Sequence, residues 1–279
     1  VSDNPYCLAR DVYGIGFFSA DKIALAMGFE LEGLKRVEAG VKHILASSRE
    51  DGHCFLLKQQ IISRTLDLLN LKNPNLIEDT INNLFEADEI KKRELPVDGE
   101  EVACYYSKSL YWDESYVVDA VKRFLSQSIA VDETRVDRRI EKYCSYSEIK
   151  LSDEQRETVT NIVKIPFSIL TGGPGCGKTT TTKALVTLLL AMGKEVILAA
   201  PTGRAAQRMT EVIGIEAKTI HRLLEWMPQN GGFKKGEEDP LKADFLIVDE
   251  CSMLDINIAS SLLKAVPNNC QILFIGDPD

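Results

Sequence analysis

The chain has 279 residues and a mass of 31.1 kDa, enough for two domains at about 150 residues each. Apolar residues make up 44% and charged residues 27%, which excludes disordered, collagen-like and low-complexity classes. With 33 basic against 42 acidic side chains the formal charge is −9; this excludes a uniformly basic coat but not a local basic groove, because binding answers to a patch and not to a sum.

The first part reads as short helices and turns. Asp3-Asn4-Pro5 offers a capping side chain followed by proline at the first helical position. Tyr13-Gly14-Ile15-Gly16-Phe17 is a tight turn. Ser19 caps a second helix in which Ala20, Ile23, Ala24 and Met27 share a face, and Gly28 ends it. Helical patterns follow over 34–47, 56–69 and 76–87. Two short strands, 89–95 and 101–106, flank the turn pair Asp98-Gly99. A helix is expected over 115–126, and 131–150 reads as a charged connector.

From Leu151 helices and apolar strands alternate. Helices are expected over 152–163, 178–192, 204–212, 219–226 and 256–265, and strands over 167–170, 195–200, 245–248 and 271–275. A polar excursion occupies 227–242. Apolar strands separated by helices imply an α/β fold with a parallel sheet covered on both faces.

Seven cysteines, odd in number and never spaced C-x-x-C, argue against a disulfide framework or a zinc site and fit a reducing, cytoplasmic setting. The strongest apolar stretch, 184–192, falls far short of a membrane span. The Val1 start and the halt at Asp279, just after a strand-like run, read as an interior piece of a longer protein.

Gly172-Gly173-Pro174-Gly175-Cys176-Gly177-Lys178-Thr179 fits G-x-x-x-x-G-K-[ST], with Thr180 next. Glycines let the backbone curl so that several N–H groups face one phosphate chain, and the helix that follows adds its positive end. Lys178 reaches the β and γ phosphates, and the Thr179 hydroxyl ligates Mg²⁺. Chance would assemble the four fixed positions in roughly one chain in a hundred.

Phe245 to Val248 form an apolar run ending in Asp249 and Glu250. Carboxylates at the C-terminal end of a strand sit where ligands bind in open α/β sheets. Asp249 can hold Mg²⁺, mostly through water, and Glu250 can take a proton from attacking water; its bland alternative is to cap the next helix. No N-K-x-D motif occurs, which favours ATP over GTP.

Phosphate loops serve many chemistries, so the surrounding residues decide. Leu151-Ser152-Asp153-Glu154-Gln155 precedes the first strand, Ala200-Pro201-Thr202-Gly203-Arg204-Ala205-Ala206 follows the second, Thr219-Ile220-His221-Arg222 comes soon after, and Gly276-Asp277-Pro278-Asp279 follows the last. Together these resemble superfamily 1 helicases, most closely the RecD-like (RecD/TraA) DNA helicases, over the whole chain and most specifically over 151–279.

The resemblance implies a RecA-like P-loop motor domain over 146–279, cut at its third motif. Ahead of it lie a mostly helical helix-hairpin-helix DNA-binding region over 1–95 and a connector over 96–145. It implies that Gln155 reads adenine, that Thr202, Gly203, Arg204, Thr219 and His221 line a single-strand DNA track, and that Asp277 links nucleotide state to DNA grip. Gly14 and Gly16 would present backbone N–H groups to DNA phosphate. Each residue alone also has a structural reading: His221 as a half-buried histidine, Arg204 as a solvated charge, Gly14-Ile15-Gly16 as a plain turn.

The expected activity is an ATP- and Mg²⁺-dependent 5′–3′ DNA helicase in recombination or repair, acting on single strands and single-/double-strand junctions. A second motor domain would supply a phosphate-stabilising arginine, so the 279 residues alone are expected to be nearly inactive. A phosphate-loop kinase or unfoldase, and a non-enzymatic DNA-binding scaffold, stand as alternatives.

Overall fold

The computed structural model describes residues 4–12, 14–97, 99–146, 151–173, 175–229 and 231–277. Tyr13, Asp98, Pro174, Pro278 and Asp279, each part of a motif above, lie outside the described residues, as does Asp3. The chain divides into two compact units, Val1–Ser115 and Tyr116–Asp279.

In the first unit the Asn4 side chain accepts the Tyr6 amide at 3.1 Å and starts a short 3₁₀ turn that runs into α1 (Leu8–Asp11). Helix α2 (Phe17–Ala26) begins two residues before the expected Ser19, because Gly16 takes the N-cap and its carbonyl accepts Ser19 and Ala20. Its buried face is Phe17, Ala20 and Ala24, whereas Ile23 and Met27 are exposed. Helix α3 (Leu34–Ser47) buries Val37, Val41 and Leu45 at helical spacing. The run expected to be helical from Leu56 opens instead as β1 (Leu56–Leu57) and then becomes α4 (Lys58–Leu69). Asn73-Pro74 starts α5 (Pro74–Glu86), with the Asn73 side chain accepting the Asn75 amide.

Strands β2 (Ile90–Val97) and β3 (Glu100–Ser107) form an antiparallel hairpin, and β1 pairs with β3. Helix α6 (Lys108–Leu125) starts seven residues ahead of expectation; the Ser107 hydroxyl at its head takes the Leu110 amide. Inside the unit Arg36, only 6% exposed, grips Asp21 through Nε at 2.9 Å and NH2 at 3.0 Å. Its NH1 donates to the Leu31 and Leu69 carbonyls, and the Tyr6 hydroxyl completes Asp21 at 2.7 Å.

The division at Ser115 falls within α6. The residues expected to be a connector are therefore shared: the hairpin belongs to the first unit and α7 (Glu133–Tyr146) to the second. Helix α7 forms where the sequence reads as charged linker because Val136 and Ile140, one turn apart, are buried in the core of the second unit with Leu185 and Leu189.

In the second unit Ser152 and Gln155 form a reciprocal capping box at the head of α8 (Asp153–Ile162). Then follow β4 (Phe167–Thr171), α9 (Lys178–Ala191), β5 (Val196–Ala200) and α10 (Gly203–Ile213). The segment expected as a helix over 219–226 instead splits into β6 (Ala217–Thr219) and α11 (Ile220–Leu223). Within the excursion, β7 (Trp226–Met227) and β8 (Gly232–Phe233) pair as a small hairpin. The unit ends with β9 (Phe245–Val248), α12 (Ile256–Ala265) and β10 (Gln271–Gly276).

The sheet is parallel throughout, in the order β4-β10-β9-β5-β6. Alternate side chains of β9 enter opposite cores: Phe245 and Ile247 join α7, α8, α9 and α10, while Leu246 and Val248 join α11, α12 and the C-terminal part of α6. All four are buried. This two-faced burial is why β9 is uniformly apolar in sequence, and the second unit has the RecA-like architecture that the motifs imply. Among the described residues no helix is long and apolar enough to cross a membrane.

Candidate nucleotide and DNA site

Because the sheet is parallel, every strand delivers its C-terminal residue to the same edge. Along that edge lie the glycine loop after β4, Asp277 after β10, Asp249 and Glu250 after β9, Thr202 to Arg204 after β5, and Thr219 to His221 after β6. The pairing Ala200↔Thr219 sets the last two groups side by side.

The loop is held by its neighbours. Gly175 and Gly177 have φ of +80°, a conformation that L side chains rarely adopt. The Gln155 oxygen is engaged by the Ser152 amide at 3.0 Å, and its Nε2 lies over Gly177: a Cβ there would sit 2.6 Å away. The capping box thus aims an amide at the loop. Thr181 and Thr182, both buried, return their hydroxyls to the Gly177 and Lys178 carbonyls. Lys178 donates to the Gly172 and Gly173 carbonyls and to Asp277 Oδ1, the last at 2.6 Å.

A cleft of about 360 Å³ is lined by residues 175–180, Asp249, Glu250, Gly276 and Asp277, with Arg208, Met209, Val212 and Ile213 contributed by α10. Asp249 Oδ1 accepts the Glu250 amide at 2.9 Å, and Glu250 itself stands at φ +56°. That left-handed turn costs a non-glycine residue of order 1 kcal/mol or more and re-aims the chain at the strand end. Cys251 next to it is tied to the Val248 carbonyl, and burial pushes its thiol up to about 12, so it stays protonated at neutral pH. Gly276 fits beneath this turn: a Cβ would meet the Ser252 amide at 3.2 Å. Asp277 is thereby brought to the lysine.

The residue set suits Mg²⁺. Asp249 and Thr179 offer hard oxygen donors on one cleft, and among the described residues no group of three His, Cys, Asp or Glu side chains forms a metal cage. A magnesium ion that keeps its waters and takes remaining ligands from phosphates needs no more.

On the β5–β6 side, Thr202 and Thr219 cap α10 and α11, accepting the Ala205 and Arg222 amides at 3.2 Å. Their structural role accounts for the threonines; Gly203, Arg204 and His221 are exposed beside them. The His221 ring lies 5.5 Å from Phe233 and 6.0 Å from Trp226, so the small hairpin is rooted on this residue. In the first unit Gly14 has φ +88° and is exposed, as is Gly16 at the head of α2.

Arg208 lies outside every motif that the sequence displays. The available signal was its place one helical turn beyond Arg204 on the helix that follows the second strand.

Comparison with known proteins decides the family. The AAA domain family matches residues 155–279, and the ATP-dependent RecD2 DNA helicase HHH domain family matches residues 1–55. The ATP-dependent RecD2 DNA helicase of Deinococcus radiodurans is 33% identical over 96% of this chain and 38% of its own length. The chain belongs to the RecD-like helicase family. The RecBCD enzyme subunit RecD of Haemophilus influenzae is 31% identical over 58% of this chain and 29% of its own length. The ATP-dependent DNA helicase dda of Enterobacteria phage T4 is 40% identical over 39% of this chain and 26% of its own length. The chain thus spans well under half the length of these relatives.

Proposed function

We propose that this RecD-like chain carries the first motor domain and the helix-hairpin-helix region of an ATP-dependent DNA helicase of the cytoplasm, active in recombination or repair. The observation that carries the reading is the order of groups along one sheet edge: phosphate loop, Asp277, Asp249 and Glu250, then Thr202 to Arg204 and Thr219 to His221. A nucleotide bound at the first strands and a single strand of DNA at the last would share one rigid sheet, which gives hydrolysis a short route to movement.

In this reading the backbone of residues 172–177, with Lys178, Thr179 and Thr180, cradles the phosphates, and Gln155 meets the adenine edge. Thr179 and Asp249 would hold Mg²⁺, which neutralises charge on the phosphate oxygens. Glu250 accepts a proton from the attacking water. Thr202, Gly203, Arg204, Thr219 and His221 face the DNA backbone, and Gly14 and Gly16 offer N–H groups to a further phosphate. The hairpin of β7 and β8, anchored through Trp226 and Phe233 at 4.9 Å, separates strands at a junction. Deleting residues 229–238 should abolish unwinding and spare ATP turnover. Movement runs 5′ to 3′ by resemblance to the family.

Related ATPases gain about 10³–10⁵ in rate from an arginine supplied from outside the phosphate loop. We therefore expect residues 1–279 alone to bind Mg-ATP, turn it over slowly and leave duplexes intact. ATP turnover by the full-length protein with and without single-stranded DNA tests the whole reading, with Lys178→Ala as control. Strong stimulation supports it; equal rates refute it.

A further inference from the structure

Lys178 is the side chain meant for the phosphates, yet each of its three ammonium hydrogens has a partner within the protein: the Gly172 carbonyl, the Gly173 carbonyl and Asp277 Oδ1. Two of these are neutral oxygens of the loop that a bound phosphate would share. The third is a full negative charge at 2.6 Å, with Lys178 18% exposed and Asp277 41% exposed. A β- or γ-phosphate oxygen and the Asp277 carboxylate want the same ammonium. They are also alike in charge, so an approaching phosphate meets repulsion as well as competition.

We propose that Asp277 is an internal competitor for the polyphosphate: it holds Lys178 until the β and γ phosphates displace it, and so sets how tightly, and how selectively, triphosphate is bound. This rests on the nucleotide-binding reading above and goes beyond it in assigning the sign of the Asp277 effect. Asp277 acts here through Lys178 as a positioning residue. It can do so because Gly276 lets the end of β10 lie against the Cys251–Ser252 turn, and because β10 is the immediate neighbour of β4, whose end carries the loop.

The test is equilibrium binding of a non-hydrolysable ATP analogue, ADP and AMP, with Mg²⁺ and without DNA, to the wild-type protein and to Asp277→Asn. The analogue should bind Asp277→Asn about three- to tenfold more tightly, ADP by a smaller factor, and AMP, which reaches neither the β nor the γ position, unchanged. In a Lys178→Ala background the same substitution should give no gain, since a double-mutant cycle isolates the pair. Asp277→Ala serves if the asparagine variant melts at a lower temperature than wild type. Unchanged or weaker analogue binding in both Asp277 variants overturns the proposal, as does a gain that persists without the lysine or extends equally to AMP. If the wild-type protein binds no nucleotide at all, the parent reading falls first and takes this one with it.

Discussion

Gly14 and Gly177 occupy the same left-handed region of backbone space, φ +88° and +80°, in surroundings that differ completely. A methyl group at Gly14 would meet nothing within 4 Å, whereas at Gly177 it would collide with the Gln155 amide at 2.6 Å. The first-unit turn therefore depends on backbone freedom alone. The second-unit loop depends on side chains that clamp it: Gln155 above Gly177, Thr181 on the Gly177 carbonyl and Lys178 on the two glycine carbonyls before it. A bare turn can offer amides to a phosphate of any sequence; a clamped loop fixes one ligand in one pose.

The sharpest break between the two regions is chemical. Glu250→Gln should lower DNA-stimulated ATP turnover in the full-length protein by about 10²–10⁴, the usual contribution of a general base, with nucleotide affinity retained. Phosphate release and equilibrium binding measure the two; a loss below tenfold removes Glu250 from that role.

Next in size is a structural effect confined to the first unit. Arg36→Met leaves the Asp21 carboxylate, largely buried, without its guanidinium, and should cost that unit about 3 kcal/mol in urea unfolding while nucleotide affinity holds. Acid should act on the same unit. Burial holds the His43 imidazole below 6.5, so its contribution is present above 6.5 and is lost as pH falls from there through the lower folded value. Burial pushes the Asp21 carboxyl up, but the Arg36 and Tyr6 hydrogen bonds outweigh this and keep it below 3.8. Its contribution is present above 3.8 and disappears as pH drops through the lower folded value. The urea midpoint should thus fall in two stages on acidification.

Two smaller effects separate the glycines directly. Gly177→Ala combines backbone strain of about 1–3 kcal/mol with displacement of Gln155 and should weaken ATP binding about tenfold or more. Gly14→Ala carries the same left-handed cost, about 1–3 kcal/mol, without any clash. It should weaken DNA binding a few-fold at most and leave ATP binding alone. Equal losses of ATP affinity in both variants would erase the distinction.

What the sequence disclosed follows the same line. Apolar strands and glycine spacing are local signals, so β4, β5, β9, β10 and the phosphate loop lie within a residue or so of expectation. Helix α7 is not legible because, among the described residues, Val136 and Ile140 are its only fully buried anchors among charges, and their value depends on α9. The early start of α6 hinged on one serine hydroxyl, and β1 on a partner some fifty residues away. At the site, residue types marked the phosphate loop and carboxylates, but the contact between Lys178 and Asp277 spans 99 residues and exists only because β4 and β10 are neighbours. Arg208 has a local signal, its place one helical turn beyond Arg204, but its approach to the cleft is set by how α10 lies.

The central claim is that one sheet edge is divided, with nucleotide at β4, β10 and β9 and DNA at β5 and β6. Titrating single-stranded DNA against ATP turnover in full-length Arg204→Ala tests it most directly. The account predicts a higher half-saturating DNA concentration and a salt slope reduced by about one, with nucleotide affinity and DNA-free turnover unchanged. DNA saturation identical to wild type, or a parallel loss of nucleotide affinity, would contradict it.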